Sequence, residues 1–363
     1  MRAEQTPPDG DGYLFGAGMA GQTDPGKGSP SPGQKATGGP LTPHDAVFRR
    51  IFGVPANAAS QLRAVLPADL AARLDLGQLA PVPASFVDEA LKWRYSDLLF
   101  AVPMEGRDAF VYVLAEHQSS SDPLMAFRML RYMTRIWDAY LREHPEARRL
   151  PAVIPLVVHH GSRPWDGPVQ LADLLDLDPG AAGAAGRYLP RFEFLLDDLP
   201  GVAEQQLRDR PLTAPARITL LLLKIAAGNP RLVADLAPWA GQLRSIAGQP
   251  GGTETLVALL TYIERVSEVP VSELHDLAAS LGPEAKEAYV TTAEMLQAEG
   301  AAKGAAETKA QDVLKVIDAR NLRPTREQRA MVTGDAGLDK LNRWFDRALT
   351  AVTAADVFKG DEA

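Results

Sequence analysis

The 363-residue chain contains no cysteine, which removes disulfides, thiolate nucleophiles and every cysteine-ligated zinc site from consideration. It also lacks a run of about 18 apolar residues, the length that a membrane-spanning helix needs. Residues 1–8 hold no apolar stretch of the signal-peptide kind, so a soluble, cytoplasmic protein with no membrane contact is expected. Basic residues are in deficit: 38 Lys and Arg stand against 46 Asp and Glu, a net charge of −8. General attraction to a polyanion is thereby disfavoured, and contact with nucleic acid requires a local basic patch. No Walker loop, GxSxG elbow or HExxH pattern occurs, and the GxGxxG spacing of Gly16, Gly18 and Gly21 lies in a Gly/Pro-rich stretch rather than between a strand and a helix, so it makes no dinucleotide fingerprint. Nucleotidase, dehydrogenase and serine-hydrolase chemistry therefore lack their usual motifs.

What is present divides unevenly along the chain. Sixteen of the first forty residues are Gly or Pro, and without periodic hydrophobicity such a segment cannot offset its ordering entropy. Residues 1–40 are read as a disordered tail. Thr42 followed by Pro43 is a helix start, and Val47, Phe48, Ile51 and Phe52 follow at helical spacing until Gly53 and Pro55 end it. A second short helix is expected over residues 58–64. Strands are read at Phe86-Val87, over residues 97–102 and over 109–115, with Glu105-Gly106-Arg107-Asp108 as a four-residue turn between the last two. Asp122 and Pro123 open a further helix that runs past Trp137 towards Arg142. Residues 152–158 form a buried strand in which Pro155 argues for an edge or a bulge. This order implies an α+β fold with a mixed central sheet flanked by helices. Residues 41–200 make its core. Beyond residue 200 the patterns are helical: an extension over 201–290, then C-terminal helices over 291–363. Within the latter, Leu338, Leu341, Trp344, Phe345 and Leu349 form an amphipathic face that needs a partner surface. A homo-oligomer built through these helices is one way to cover it.

Two constellations bear on chemistry. A register symmetric about a turn centred between Gly106 and Arg107 sets Asp97 directly across from Glu116, on one sheet face. Opposed carboxylates repel unless a cation holds them together, and oxygen ligands alone favour Mg²⁺ or Mn²⁺. A metal so held can polarise a phosphoryl oxygen and activate water. The alternative is a pair of ordinary strand-end acids facing solvent. On the following helix, Arg128, Arg131, Arg135 and Arg142 fall within an arc of roughly 60° at about 100° per residue. Guanidinium groups in a row suit successive phosphates. They also suit a solvated face paired with Asp138, Glu143 and Glu146. The six histidines make no metal-ligand spacing, and the neighbours His159 and His160 face opposite ways on a strand, so structural roles are assigned to them.

Several segments together resemble the recombination-promoting nuclease family, which is also described as transposase-like and resembles a branch of the PD-(D/E)xK nuclease superfamily. They are His44-Asp45 through Phe52, Ser96-Asp97-Leu98-Leu99-Phe100, Tyr112 through Ser120 with its Glu116-His117-Gln118 block, Arg128-Met129-Leu130-Arg131-Tyr132-Met133, and Pro155 through Gly161. The likeness covers roughly residues 42–200, and the C-terminal part ending Thr350-Ala351-Val352 shares it more loosely. It implies a PD-(D/E)xK-like core and metal-dependent DNA endonuclease chemistry linked to recombination or mobile elements. Asp97 and Glu116 would then bind Mg²⁺, or Mn²⁺, with the backbone carbonyl of His117 completing the site. Gln118 stands where the superfamily usually has Lys, and an amide has neither charge nor basicity. Ser96 replaces the motif's Pro. Arg128, Arg131 and Arg135 would contact DNA, Tyr132 is carried along with its motif, and Asp45 is the candidate for the first-helix acid. A catalytically inactive DNA-binding or assembly protein descended from the nuclease fold is the alternative that Gln118 and the acidic charge leave open.

Overall fold

The computed structural model describes residues 42–82, 97–116, 121–334 and 336–360. The tail assigned to residues 1–40, the Phe86-Val87 strand, Ser96, His117 and Gln118 lie outside them. By its internal contacts the chain from Pro40 to Ala363 forms one unit.

The first helix, Pro43–Phe52, begins with a reciprocal cap. The Thr42 hydroxyl accepts from the Asp45 amide at 3.2 Å, and the Asp45 carboxylate accepts from the Thr42 amide at 3.2 Å. Such caps contribute about 1 kcal/mol. Pro55–Val65 follows as a second helix. Among the described residues, five strands build one mixed sheet: β1 (Ala80–Pro81), β2 (Leu98–Met104), β3 (Arg107–Glu116), β4 (Ala152–His159) and β5 (Leu195–Asp198). They lie in sequence order; β1, β2 and β3 are antiparallel, while β3, β4 and β5 are parallel. The 19-residue helix Met125–Glu143 makes the crossover from β3 to β4, as a parallel connection requires. Pro155 sits where β5 has not yet begun its pairing, which starts at Leu156. There β4 has a neighbour on one side, the edge-like situation a proline tolerates.

Side-chain alternation divides the sheet between two layers. Phe100, Val102, Val111, Val113, Leu156 and Val158 face a large core shared with the first two helices and with Ala214–Ile225 and Gly252–Val266. Leu99, Phe110, Tyr112, Leu114 and Val157 face Met125, Met129, Met133 and Ile136 of the crossover helix. With both faces covered, β3 is buried from Ala109 onwards, which is why it reads as a continuous apolar run. One long helix, Pro283–Ala319, runs across the boundary expected at residue 290. Its C-terminal part packs Val313 and Ile317 against Leu341, Trp344 and Phe358. The amphipathic face of Leu338–Thr350 therefore finds its cover within the chain through Leu341, Trp344 and Ala348, whereas Leu349 stays exposed.

The hairpin corrects the expected register. Met104 pairs with Arg107 and Pro103 with Asp108, so the turn is the two residues Glu105 and Gly106 rather than four. Both take positive φ, 50° and 73°, the geometry of the two-residue turn whose twist matches the flanking strands. The ladder that runs from Leu98↔Val113, extended by one residue, sets Asp97 opposite Leu114. Asp97 is thus two positions from the partner expected of it. A two-residue shift keeps side chains on the same face, where a single-residue shift would have parted the acids.

Gly106 has open space where a Cβ would stand, so the cost of Gly106→Ala comes from the left-handed backbone alone. A loss of about 1 kcal/mol is expected in urea unfolding, with the unfolding slope unchanged.

Candidate active site

Asp97 and Glu116 retain 3% and 2% of their exposure, deep burial for two carboxylates. Both face the crossover helix. The Tyr112 hydroxyl, on that face of β3, donates to Asp97 Oδ2 at 2.6 Å, and Arg128 Nη2, on the helix, donates to Glu116 Oε2 at 2.8 Å. Asp97 and Glu116 are diagonal neighbours on one sheet face, a relation that sets residues about 7–8 Å apart, rather than a directly opposed pair.

Arg128 turns inward from the first turn of its helix. Its second edge meets Asp122, Nη1 donating to Oδ2 at 3.0 Å, and Asp122 Oδ1 accepts from the Leu124 amide at 2.9 Å at the helix start. Burial alone lowers the pKa of a guanidinium. Here the attraction of Glu116, with Tyr132, Asp122 and Asp97 adding to it, outweighs burial and drives the value further up. Arg128 is thus a permanent cation coupled to both acids. Removing one member of a buried ion pair of this kind costs roughly 3–5 kcal/mol, because the other charge is stranded. Tyr112 is pushed well up, first by burial and then by the negative charge of Asp97, so it stays a neutral donor. Tyr132 lies against it, ring centroids 4.8 Å apart.

Next to Glu116 in the parallel register stands His159, a residue that sequence reasoning set aside as structural. It is 1% exposed. Its Nδ1 lies 2.8 Å from Asp198 Oδ1 on β5, and since a carboxylate only accepts, Nδ1 carries the proton. Among the described residues, its buried Nε2 has no hydrogen-bond partner. The ring meets Trp165 edge-on at 5.2 Å. Glu116, His159 and Asp198 therefore stand side by side at the carboxyl ends of three adjacent parallel strands. Only the pairing of strands distant in sequence creates this row, and no local signal announces it.

The other sheet face holds different partners. His160 alternates away from His159 and lies 5.2 Å, ring to ring, from His44 of the first helix, whose Nδ1 is 2.9 Å from the Tyr262 hydroxyl. Asp197, beside Asp198, receives both edges of Arg210 at 2.8 and 3.0 Å. Asp45, the candidate first-helix acid, is engaged in the cap with Thr42 on a helix that packs against this opposite face, and the structure does not bring it to Asp97 and Glu116. Of the arginine stripe, Arg131 and Arg142 are exposed and Arg135 is half-buried. Among the described residues no three His, Asp or Glu side chains come together in a way that can hold a metal ion. The donor chemistry of the pair, two buried carboxylates without sulfur, nevertheless suits a hard divalent ion held by one or two carboxylates and completed by water.

Acids thus gather at the end of a mixed sheet, with cations on the adjoining helix. The profile of the family described as "Putative transposase, YhgA-like" matches residues 42–251, and the chain belongs to that family. It is similar to recombination-promoting nuclease RpnD of Escherichia coli O157:H7, 34% identical over 265 residues, 70% of this chain and 94% of the relative. Recombination-promoting nuclease RpnA of Escherichia coli K12 is 31% identical over 263 residues, 71% of this chain and 85% of the relative. The inactive recombination-promoting nuclease-like protein RpnE of the same strain is 34% identical over 203 residues, covering 50% of this chain and 65% of the relative. No solved structure matches the chain significantly. No helix among the described residues is long and apolar enough to cross a membrane.

Burial raises the pKa of Tyr262, above the value of about 10 it has in the unfolded chain. Its contribution to stability is then complete below about pH 10 and declines by up to about 1.4 kcal/mol per unit as pH rises towards the folded value. Thermal unfolding between pH 8 and 11 checks this: the Tyr262→Phe variant should lose less stability over that interval than the parent chain.

Proposed function

We propose that the chain is a metal-dependent DNA endonuclease of PD-(D/E)xK-like architecture, acting in recombination or mobile-element movement. The observation that carries this reading is the pair of deeply buried carboxylates, Asp97 and Glu116, on one face of the sheet. The names of the relatives supply the class, nuclease, and the residues supply the chemistry. Asp97 and Glu116 would hold Mg²⁺ or Mn²⁺, with the carbonyl of His117 as a further donor. Such an ion, when bound, polarises a phosphoryl oxygen and lowers the pKa of a coordinated water.

The chain's own groups do the rest. Tyr112 fixes the Asp97 carboxylate by donating to Oδ2, so that one oxygen is oriented before any ligand arrives. Gln118 can orient a water or a phosphate oxygen by its amide, but takes no proton and carries no charge. Arg131, exposed one turn beyond Arg128, supplies a cation to the DNA backbone, with Arg135 behind it. Such contacts position the duplex without reading its sequence. A second reading has its own support: Gln118 in place of Lys, and a relative named as inactive, fit a DNA-binding or assembly protein without turnover.

Plasmid nicking with Mg²⁺ or Mn²⁺ tests the assignment. Asp97→Asn and Glu116→Gln should each lower the rate by about a hundredfold or more, the scale expected for removing a direct ligand rather than a neighbour of one. Arg131→Ala should weaken DNA binding and flatten its salt dependence by about one unit in the log–log slope. Cleavage unaffected by either acid substitution rejects the site. A parent chain that binds DNA and never cuts it establishes the second reading.

A further inference from the structure

Arg128 behaves unlike Arg131 and Arg142 of the same stripe. Arg131 and Arg142 face solvent, whereas the Arg128 side chain is 13% exposed and its partner Glu116 is 3% exposed. One edge of the guanidinium closes on Glu116 and the other on Asp122. A side chain held at both edges by acids, and buried, is poorly placed to meet a phosphate.

Its position has a second consequence. Asp97 and Glu116 on the buried sheet face and Asp122 before the crossover helix place three carboxylates near one guanidinium, and like charges so gathered are destabilising unless a cation intervenes. Arg128 supplies that cation from within the chain. Glu116 Oε2, accepting from Nη2 at 2.8 Å, is directed at the guanidinium, while direct coordination of Mg²⁺ needs an oxygen about 2.0–2.1 Å from the ion. A divalent cation arriving at the same carboxylate meets both a competing donor and a repelling charge.

We propose that Arg128 is a built-in counter-cation: it holds Glu116 while the site is metal-free and competes with a divalent ion for that carboxylate. The inference rests on the metal-site reading above and assigns Arg128 a positioning role, distinct from the phosphate contact implied by its place in the stripe. Asp122 is what makes release feasible. It holds Nη1 from a fixed point, its other oxygen engaged by the Leu124 amide, so the guanidinium can leave Glu116 and keep a partner. Metal uptake then exchanges one counter-ion for another, and the acids are never left facing each other without a cation.

Mn²⁺ titration calorimetry on the full chain, with thermal unfolding in chelator and in Mn²⁺, tests this in the parent, Arg128→Lys, Arg128→Gln and Asp97→Asn. Arg128→Gln should bind Mn²⁺ about tenfold tighter or better, within the usual range of coupling between competing ligands. It should also melt lower than the parent in chelator and gain more from Mn²⁺. Arg128→Lys keeps the charge but cannot span both acids, so it should fold and fall between the two, which maintains the test if the Gln variant does not fold. Equal or weaker Mn²⁺ affinity in both Arg128 variants overturns the proposal, because a merely structural ion pair alters the melting temperature and not the competition. A different result defeats the metal reading itself: no Mn²⁺ uptake by the parent or by either Arg128 variant beyond that of Asp97→Asn.

Discussion

A carboxylate taken out of water without a partner lies several kcal/mol uphill, and this chain buries two of them on one sheet face. The surrounding structure answers that constraint. Tyr112 gives its hydroxyl to Asp97, Arg128 gives one edge to Glu116, and Asp122 steadies the other edge. The crossover helix must begin where it does for Arg128 to reach Glu116, which ties the helix start to the end of β3 through charge as well as through the packing of Met125 and Met129.

The same alternation that divides the sheet between two cores divides its polar residues between two networks. Neighbours in sequence part company: His159 goes to Asp198 and His160 to the His44 side, while Asp197 takes Arg210. Both networks sit towards the carboxyl ends of the parallel strands. One of them adjoins the acid pair. The other ties the sheet to the first helix and to the helical extension, so the same strand ends that present the acids also anchor the layer behind them.

Much of the fold was legible in the sequence, because local signals dominate where helices start and strands alternate. Thr42-Pro43 announces the first helix, the apolar runs around Leu99 and Val111 announce β2 and β3, and Asp122-Pro123 announces the crossover helix, which however begins only at Met125, with Leu124 at its cap. The placing of Asp97 and Glu116 on one face was also legible, since it depends on parity alone. The turn was misjudged by two residues: Arg107 and Asp108 are polar and read as loop, yet a glutamate that accepts positive φ ahead of Gly106 closes the hairpin sooner. Asp45 resembled a site acid, but three residues after Thr42 it is better placed to cap its own helix.

Composition and periodicity thus determined the element order, the mixed sheet, the face on which the two acids stand and the absence of thiol chemistry, for these follow from the residue types and their spacing. Tertiary structure decided the partners. That Arg128 turns inward to Glu116 while Arg131 stays outside, and that His159 lines up beside Glu116, depends on how β3, β4 and the crossover helix come together. Spacing along a helix says which side chains share a stripe; only the surface against which the helix packs says which of them leave it.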